Sequence, residues 1–552
     1  MRCILQGRHI MRHARSRFRS PVDRLLGLGP ATHRFEIHRD LRVAMGDGVE
    51  LATTRYAPRG QTRGPVILIR TPYGREGRLW SYLLPRPFAA RGYQVVVQDV
   101  RGTFDSDGVF EPGRHERADG TATVAWLRDQ PWCDGRVVMT GGSYLGTTQW
   151  AVGPYLDNPL TAMAISIGSS TMMGSWYPQG ALGLDQTLRW SFLIGTQEGR
   201  IGGLSLLVNK RRIARALAAP DFRDADVKAL GAVSPIYRAG IEHADDQGYW
   251  VDALDYSADR ADLTTPTSMV TGWFDLFLRD QLHDHQALIA AGHQSRITIG
   301  PFSHGSAQLI PHQVRDALEF FDHTLHNKPL VNTAPVRLFI QGVDQWSDYA
   351  AWPPPAQPVE LALHGDGTAA FGSPSTSISD ETQWKTIAYD PYDPTPAVGG
   401  PTLNMPAGRQ DQTAVEHRAD VLVHTSTALD GPLEVIGTIT AHLTVTTPDP
   451  STLVVVRVCD VDEHGTSWNV TEGLVRLTDG PRSQRTVRID LDPTGYVFKE
   501  KHKLRVHIAA GAHPRVVDQR GGTYQIAVCY TDTSPTMTFP VTAEGGSQPG
   551  YH

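Results

Sequence analysis

The chain has 552 residues, which at roughly 150 residues per domain implies three or four structural units. Hydrophobic residues make up 40% and charged residues 20%, a composition that excludes a disordered chain and supplies apolar side chains for large cores. A net charge of −6 argues against nucleic acid as a partner, and no stretch approaches the roughly 20 apolar residues of a membrane-spanning helix, so a soluble protein with no membrane partner is expected.

Residues 1–24 hold seven arginines against one acid, Asp23. A secretory signal needs an uninterrupted apolar core, and here Leu25–Leu28 is broken by Gly27 and followed by Gly29 and Pro30. Residues 1–32 therefore read as a basic disordered tail, or as upstream sequence if translation begins at Met11. From Phe35 regular structure is expected. Val43–Met45 and Val49–Leu51 flank Gly46-Asp47-Gly48, strong hairpin turn chemistry. Short apolar runs follow at Val66–Ile69, Val95–Val97, Val137–Met139 and Ala162–Ile165, separated by helix-sized intervals. That spacing predicts buried parallel strands in βα units, with Ala118–Gln130 as one crossover helix.

From 171 to 250 the pattern turns helical, as in Leu182–Ile194 and Leu204–Ala219, with no strand signal. Strand-like runs return at Thr267–Thr271 and Ile297–Ile299, and Val314–Leu325 reads as an amphipathic helix. The triple proline Pro353–Pro355 marks a linker, after which alternating segments such as Ala441–Thr446 and Leu453–Val458 suggest a β-sandwich of the jelly-roll kind. The expected fold class is thus α/β: a domain with a parallel sheet over 33–170 and 251–350, an inserted helical segment over 171–250, and an all-β jelly roll over 351–552.

The chemistry concentrates at Met139-Thr140-Gly141-Gly142-Ser143-Tyr144-Leu145-Gly146, a strand that runs into a sharp glycine turn with serine at its apex. Small residues are needed there because the serine is strained and the following helix passes close to the strand. Alone, such a turn also suits a helix cap or an anion contact. The downstream order favours a nucleophile: Asp275 follows the strand Thr267–Thr271, and His304 follows the strand that includes Ile297–Ile299. Both sit in loops at strand C-terminal ends, which share one edge of a doubly wound sheet with the turn. In this reading His304 moves the proton of Ser143, Asp275 orients the imidazole, and the Tyr144 backbone N–H stabilises the oxyanion. Tyr73, in the turn after the strand that includes Val66–Ile69, is the candidate second donor, although a tyrosine in a Pro-Tyr-Gly turn is by itself usually a packing residue.

These segments resemble the cocaine esterase and X-prolyl dipeptidyl aminopeptidase (CocE/NonD) group of serine hydrolases. The likeness rests on Arg70-Thr71-Pro72-Tyr73, on Asp99-Val100-Arg101-Gly102 through Ser106-Asp107-Gly108, and on Gly141-Gly142-Ser143-Tyr144-Leu145-Gly146. Gly272-Trp273-Phe274-Asp275 and Gly300-Pro301-Phe302-Ser303-His304 complete it. The resemblance implies the same three-part architecture, as an α/β-hydrolase catalytic core, an inserted helical cap and a C-terminal jelly roll, with a Ser143, Asp275, His304 triad and an oxyanion hole of Tyr73 and Tyr144. By similarity in the cap to the group's cocaine esterases, Trp176, Trp190 and Phe277 line the substrate pocket. Leu403 and Asn404 stand where relatives carry a Leu-Phe pair, and a polar Asn404 argues against a bulky benzoyl-type acyl group.

The leading expectation is a carboxylic ester hydrolase acting on a small-molecule ester without cofactor or metal; four scattered cysteines and no HExxH leave no metal signature. The same cysteines lack disulfide spacing, so a cytoplasmic location is expected. A homodimer is an allowed assembly. The second reading is an amide hydrolase, with Asp185 or Glu198 holding a substrate amine. The third is a non-catalytic protein that binds through its jelly roll.

Overall fold

The computed structural model describes residues 19–76, 84–199, 202–251, 253–371, 382–403, 406–478, 480, 482–531 and 535–542. Ten strands form the first sheet: β1 (Phe35–Ala44), β2 (Glu50–Pro58), β3 (Gly64–Thr71), β4 (Gln94–Asp99), β5 (Cys133–Gly142), β6 (Ala162–Ser166), β7 (Thr267–Phe274), β8 (Ser295–Ser303), β9 (Val336–Ile340) and β10 (Gln345–Tyr349). Their order is β1-β2-β4-β3-β5-β6-β7-β8-β9-β10. Neighbours from β4 to β9 are parallel, whereas β1, β2 and β10 pair antiparallel at the edges. The expected hairpin forms around residues 46–48, with Ala44 opposite Glu50.

Continuous apolar runs arise because both faces of this sheet are covered. Successive side chains of a strand point to opposite faces, and β3 divides accordingly. Val66 and Leu68 join a core with Val124, Leu127 and Leu282, while Ile67 and Ile69 join Phe88, Leu318 and Phe321 on the other side. Chain order runs outward from β3 to β4, then crosses back to β5 on the far side of β3. This reversal opens a crevice at the C-terminal ends of β3 and β5, where an open α/β sheet places its ligands.

The crossover helix spans Glu116–Arg128 and the late amphipathic helix Leu309–His326. Between β6 and β7 the chain is helical, with Leu184–Thr196 as its longest element. The expected helix at 204–219 is two helices, Ser205–Val208 and Lys210–Leu217, that meet at Asn209. Helical structure also continues past the expected limit of 250, to Ser257–Asp262. After Pro353–Pro355 the chain is all-β, with thirteen strands among the described residues from Gln357–Leu363 to Thr536–Val541 around one apolar core. This β unit packs on the first sheet, because Ile436 and Val497 share a core with Trp273 and Ile340.

The expectation of a disordered tail over 1–32 is corrected for residues 19–32; residues 1–18 lie outside the described residues. Pro21–Leu25 is a helix closed by a capping box, in which Ser20 Oγ accepts from the Asp23 N–H and the Asp23 carboxylate accepts from the Ser20 N–H. Asp23 pairs with Arg91 at 2.9 Å, and Leu26 and Leu28 are buried against Phe88 and Leu318. The short apolar run that fails as a signal sequence is therefore an anchor. Replacing Leu26 with Ala is expected to cost about 3 kcal/mol and to lower the thermal midpoint of unfolding. An unchanged midpoint would show that the segment does not pack.

Candidate active site

Ser143 stands between β5 and the helix Tyr144–Trp150, with φ 59° and ψ −130°. A non-glycine residue in that region is strained, so its surroundings must hold it there. Two glycines make the turn possible. A Cβ on Gly141 (φ 150°) would lie 2.4 Å from the Leu145 Cβ, and one on Gly168 would lie 2.8 Å from the Ser143 carbonyl oxygen. The Ser143 N–H donates to the carbonyls of Ser166 and Ile167, both at 3.0 Å. Pinned in this way, the serine side chain projects from the strand end.

β7 and β8 bring up its partners. His304 Nε2 lies 3.0 Å from Ser143 Oγ, and His304 Nδ1 lies 2.9 Å from Asp275 Oδ2. The second carboxylate oxygen of Asp275 accepts the Phe277 N–H at 2.8 Å, which fixes the acid's orientation. Asp275 is 4% exposed and His304 is covered by the Phe277 ring, 5.6 Å away. A hydroxyl, an imidazole and a carboxylate in this line can move the serine proton to Nε2 while the buried charge of Asp275 stabilises the resulting cation.

The loop after β3 contributes Tyr73, fixed by its N–H donating to Thr71 Oγ1 at 3.0 Å. Trp190 Nε1–H donates to the Tyr73 hydroxyl at 3.1 Å, and Tyr73 and Ser143 border the same cavity. With an indole N–H donated into its oxygen, the phenol keeps its own proton for an acceptor at the serine. Burial pushes the phenol above its usual range, so it stays protonated at neutral pH. Tyr144 is the first residue of its helix, and its N–H has no intrahelical acceptor. The Tyr73 O–H and the Tyr144 N–H are thus two candidate donors at this end of the sheet.

The Tyr144 side chain is clamped from below. Its hydroxyl donates to Glu116 Oε1 at 2.8 Å and accepts the Gly113 N–H at 2.9 Å, while Arg70 Nη1 pairs with Glu116 Oε2 at 2.5 Å. Burial pushes the Glu116 carboxyl up, against the pull of Arg70, and raises the Tyr144 phenol well above its ordinary value. Arg70, Glu116 and Gly168 are the site residues that sequence reasoning missed. Arg70 carried a signal, a charged residue inside an otherwise apolar strand run. Gly168 and Glu116 carried none, because their partners are distant in sequence.

A cavity of about 280 Å³ opens on Ser143 and His304. Trp176, Trp190, Phe277 and Leu403 all line it, together with Leu84, Leu145, Leu193 and Leu276. Trp190 stacks on Tyr144 at 6.0 Å and meets Trp176 edge-on at 5.8 Å. Asn404 lies outside the described residues. The two acids expected to hold a substrate amine do not line the cavity. Asp185 accepts from Arg189 Nε at 2.6 Å and from Thr402 Oγ1 at 2.8 Å, and Glu198 accepts the Phe104 N–H at 2.8 Å.

One group with metal-ligand chemistry occurs among the described residues, Glu416, Cys459 and His507 in the β unit, with ligand atoms within 4.8 Å of one another. Its atoms already serve one another: His507 Nε2 bonds Glu416 Oε1 at 2.9 Å, and Arg505 pairs with the same carboxylate. Burial pushes the Cys459 thiol up to about 12.

Replacing Gly168 with Ala tests the turn. Because the added methyl meets backbone atoms, labelling of Ser143 by a fluorophosphonate should slow about 100-fold. Labelling at the unaltered rate would show that the turn does not depend on this close approach.

The model of the S15 X-Pro dipeptidyl-peptidase family matches residues 47–306, and that of the X-Pro dipeptidyl-peptidase C-terminal non-catalytic domain matches residues 330–528. The chain is 32% identical to the cocaine esterase of Rhodococcus sp. (strain MB1 Bresler) across 87% of its own length and 92% of that protein. In fold it is similar to an α-amino acid ester hydrolase, with TM-score 0.75 at 21% identity over 92% of this chain and 97% of the other. A CocE/NonD family hydrolase from Staphylococcus aureus superposes with TM-score 0.69 at 16% identity over 92% and 94%. The chain belongs to the S15 X-Pro dipeptidyl-peptidase family, within its CocE/NonD group of hydrolases.

Proposed function

We propose that the protein is a serine hydrolase that cleaves carboxylic esters through an acyl-enzyme on Ser143. The observation that carries this reading is the relay from Ser143 Oγ to His304 Nε2 at 3.0 Å and from His304 Nδ1 to Asp275 Oδ2 at 2.9 Å, with Tyr73 in the wall of the same cavity. His304 Nε2 takes the serine proton as Oγ attacks the ester carbonyl. The oxyanion is met by the Tyr73 O–H and the Tyr144 N–H, and stronger binding of that charge than of the neutral carbonyl lowers the barrier. The C–O bond to the alcohol then breaks, and His304 returns the proton to the leaving oxygen. Water, deprotonated by the same imidazole, attacks the acyl-enzyme and releases the acid. Asp275 holds the imidazole tautomer throughout.

Esters are favoured over amines presented as peptides or β-lactams, because Asp185 and Glu198 are committed to other partners. A homologous cocaine esterase and the fold likeness to an amino acid ester hydrolase support the same class. Cys133, Cys459 and Cys529 are free and buried, which fits the cytoplasm as the place of action. No helix among the described residues is long and apolar enough to cross a membrane.

Replacing Ser143 with Ala should lower kcat for p-nitrophenyl butyrate by on the order of 10⁴-fold or more with the thermal midpoint unchanged. The unaltered protein should hydrolyse this ester far faster than Ala-Pro-p-nitroanilide. Retained turnover in the variant would overturn the reading, and a faster anilide would move it to the amide class.

A further inference from the structure

The cavity beside Ser143 is walled by aromatic and aliphatic side chains, yet it contains one permanent charge. Arg189 lies in the helix Leu184–Thr196, one residue before Trp190, and lines the cavity while only 6% exposed. Asp185, one helical turn earlier, takes its Nε–H at 2.6 Å. Among the described residues the two terminal nitrogens, Nη1 and Nη2, have no hydrogen-bond partner. They are not sealed in protein either, and the open space next to Arg189 is the cavity. No carboxylate is among the described residues that line this space.

Burying a guanidinium with its end-on edge unpaired is costly unless something arrives to meet it. That edge presents parallel N–H groups whose spacing matches the two oxygens of a carboxylate. Asp185 does not compete for it. It holds the guanidinium by Nε, and its other oxygen is taken by Thr402 from the β unit, so the pair is braced across two parts of the protein.

We propose that Arg189 is a specificity residue that receives a carboxylate carried by the substrate, so that the preferred substrates are esters with a second, free acid group. The inference rests on the ester hydrolase reading of Ser143 and narrows its substrate class. It runs opposite to an amine-binding pocket, which would present acids to the cavity. The apolar walls accommodate the chain between the ester and the acid, and Arg189 sets which end enters.

The test compares two substrate pairs by pH-stat: monoethyl adipate against diethyl adipate, with the acid on the acyl side, and 4-acetoxybutanoate against its methyl ester, with the acid on the alcohol side. Arg189→Met removes the charge and keeps the bulk. In at least one pair, kcat/KM for the anionic ester should fall about 30-fold, chiefly through KM, while the neutral ester changes less than about 3-fold. Arg189→Lys keeps the charge and the pairing with Asp185 but loses the fork, and should recover part of the loss. Equal losses for anionic and neutral esters in both pairs, or unaltered protein that hydrolyses only the neutral members, would overturn the proposal. Fluorophosphonate labelling separates the causes. A variant that labels at the unaltered rate has kept its reactive serine; if Arg189→Met does not label, the Lys variant decides. If the unaltered protein neither labels nor hydrolyses any ester, the esterase reading fails and this inference falls with it.

Discussion

The strained backbone of Ser143 is the constraint on which the rest of the site depends. A φ of 59° on a serine persists only where neighbouring backbone leaves no alternative. Here that closure comes from Gly141 and Gly168, each so near the turn that a methyl would collide. The parallel sheet does the remainder. It places the loops after β3, β5, β7 and β8 on one edge, so Tyr73, Ser143, Asp275 and His304 meet although distant in sequence. No single loop encodes the site.

Around this point the three parts of the chain are tied by polar contacts in an otherwise apolar wall. Trp190 from the helical segment donates to Tyr73 of the core and stacks on Tyr144. Thr402 of the β unit donates to Asp185 of the same segment, next to Leu403 in the cavity wall. Gln179 reaches the β unit as well, donating to the Asp490 carbonyl at 2.9 Å and accepting the Leu474 N–H at 2.9 Å. The pocket is thus closed by all three parts, and its shape depends on their mutual packing.

Much of this was legible in the amino-acid order. Apolar runs such as Val66–Ile69 and Val95–Val97 mark buried strands, and the order of serine, aspartate and histidine marks the edge where they end. What escaped was pairing. Ser20 and Asp23 form a capping box that local spacing encodes, yet the arginine excess around it pointed to a tail. Asp185 was read as free for a substrate, although Arg189 four residues later is its natural helical partner. The clamp of Arg70 and Glu116 beneath Tyr144 needs the fold to bring it together, since these residues lie on separate elements. Isolated charges in a sequence invite functional readings that a neighbour in space then claims.

The most direct measurement is the covalent intermediate itself. Mixed with a slowly deacylating ester, quenched in acid and analysed by intact-protein and peptide mass spectrometry, the protein should carry one acyl group, on the peptide that contains Ser143. The same adduct should be missing after His304→Ala. An acyl group on another residue, or turnover with no adduct at any time, would contradict an acyl-enzyme on Ser143.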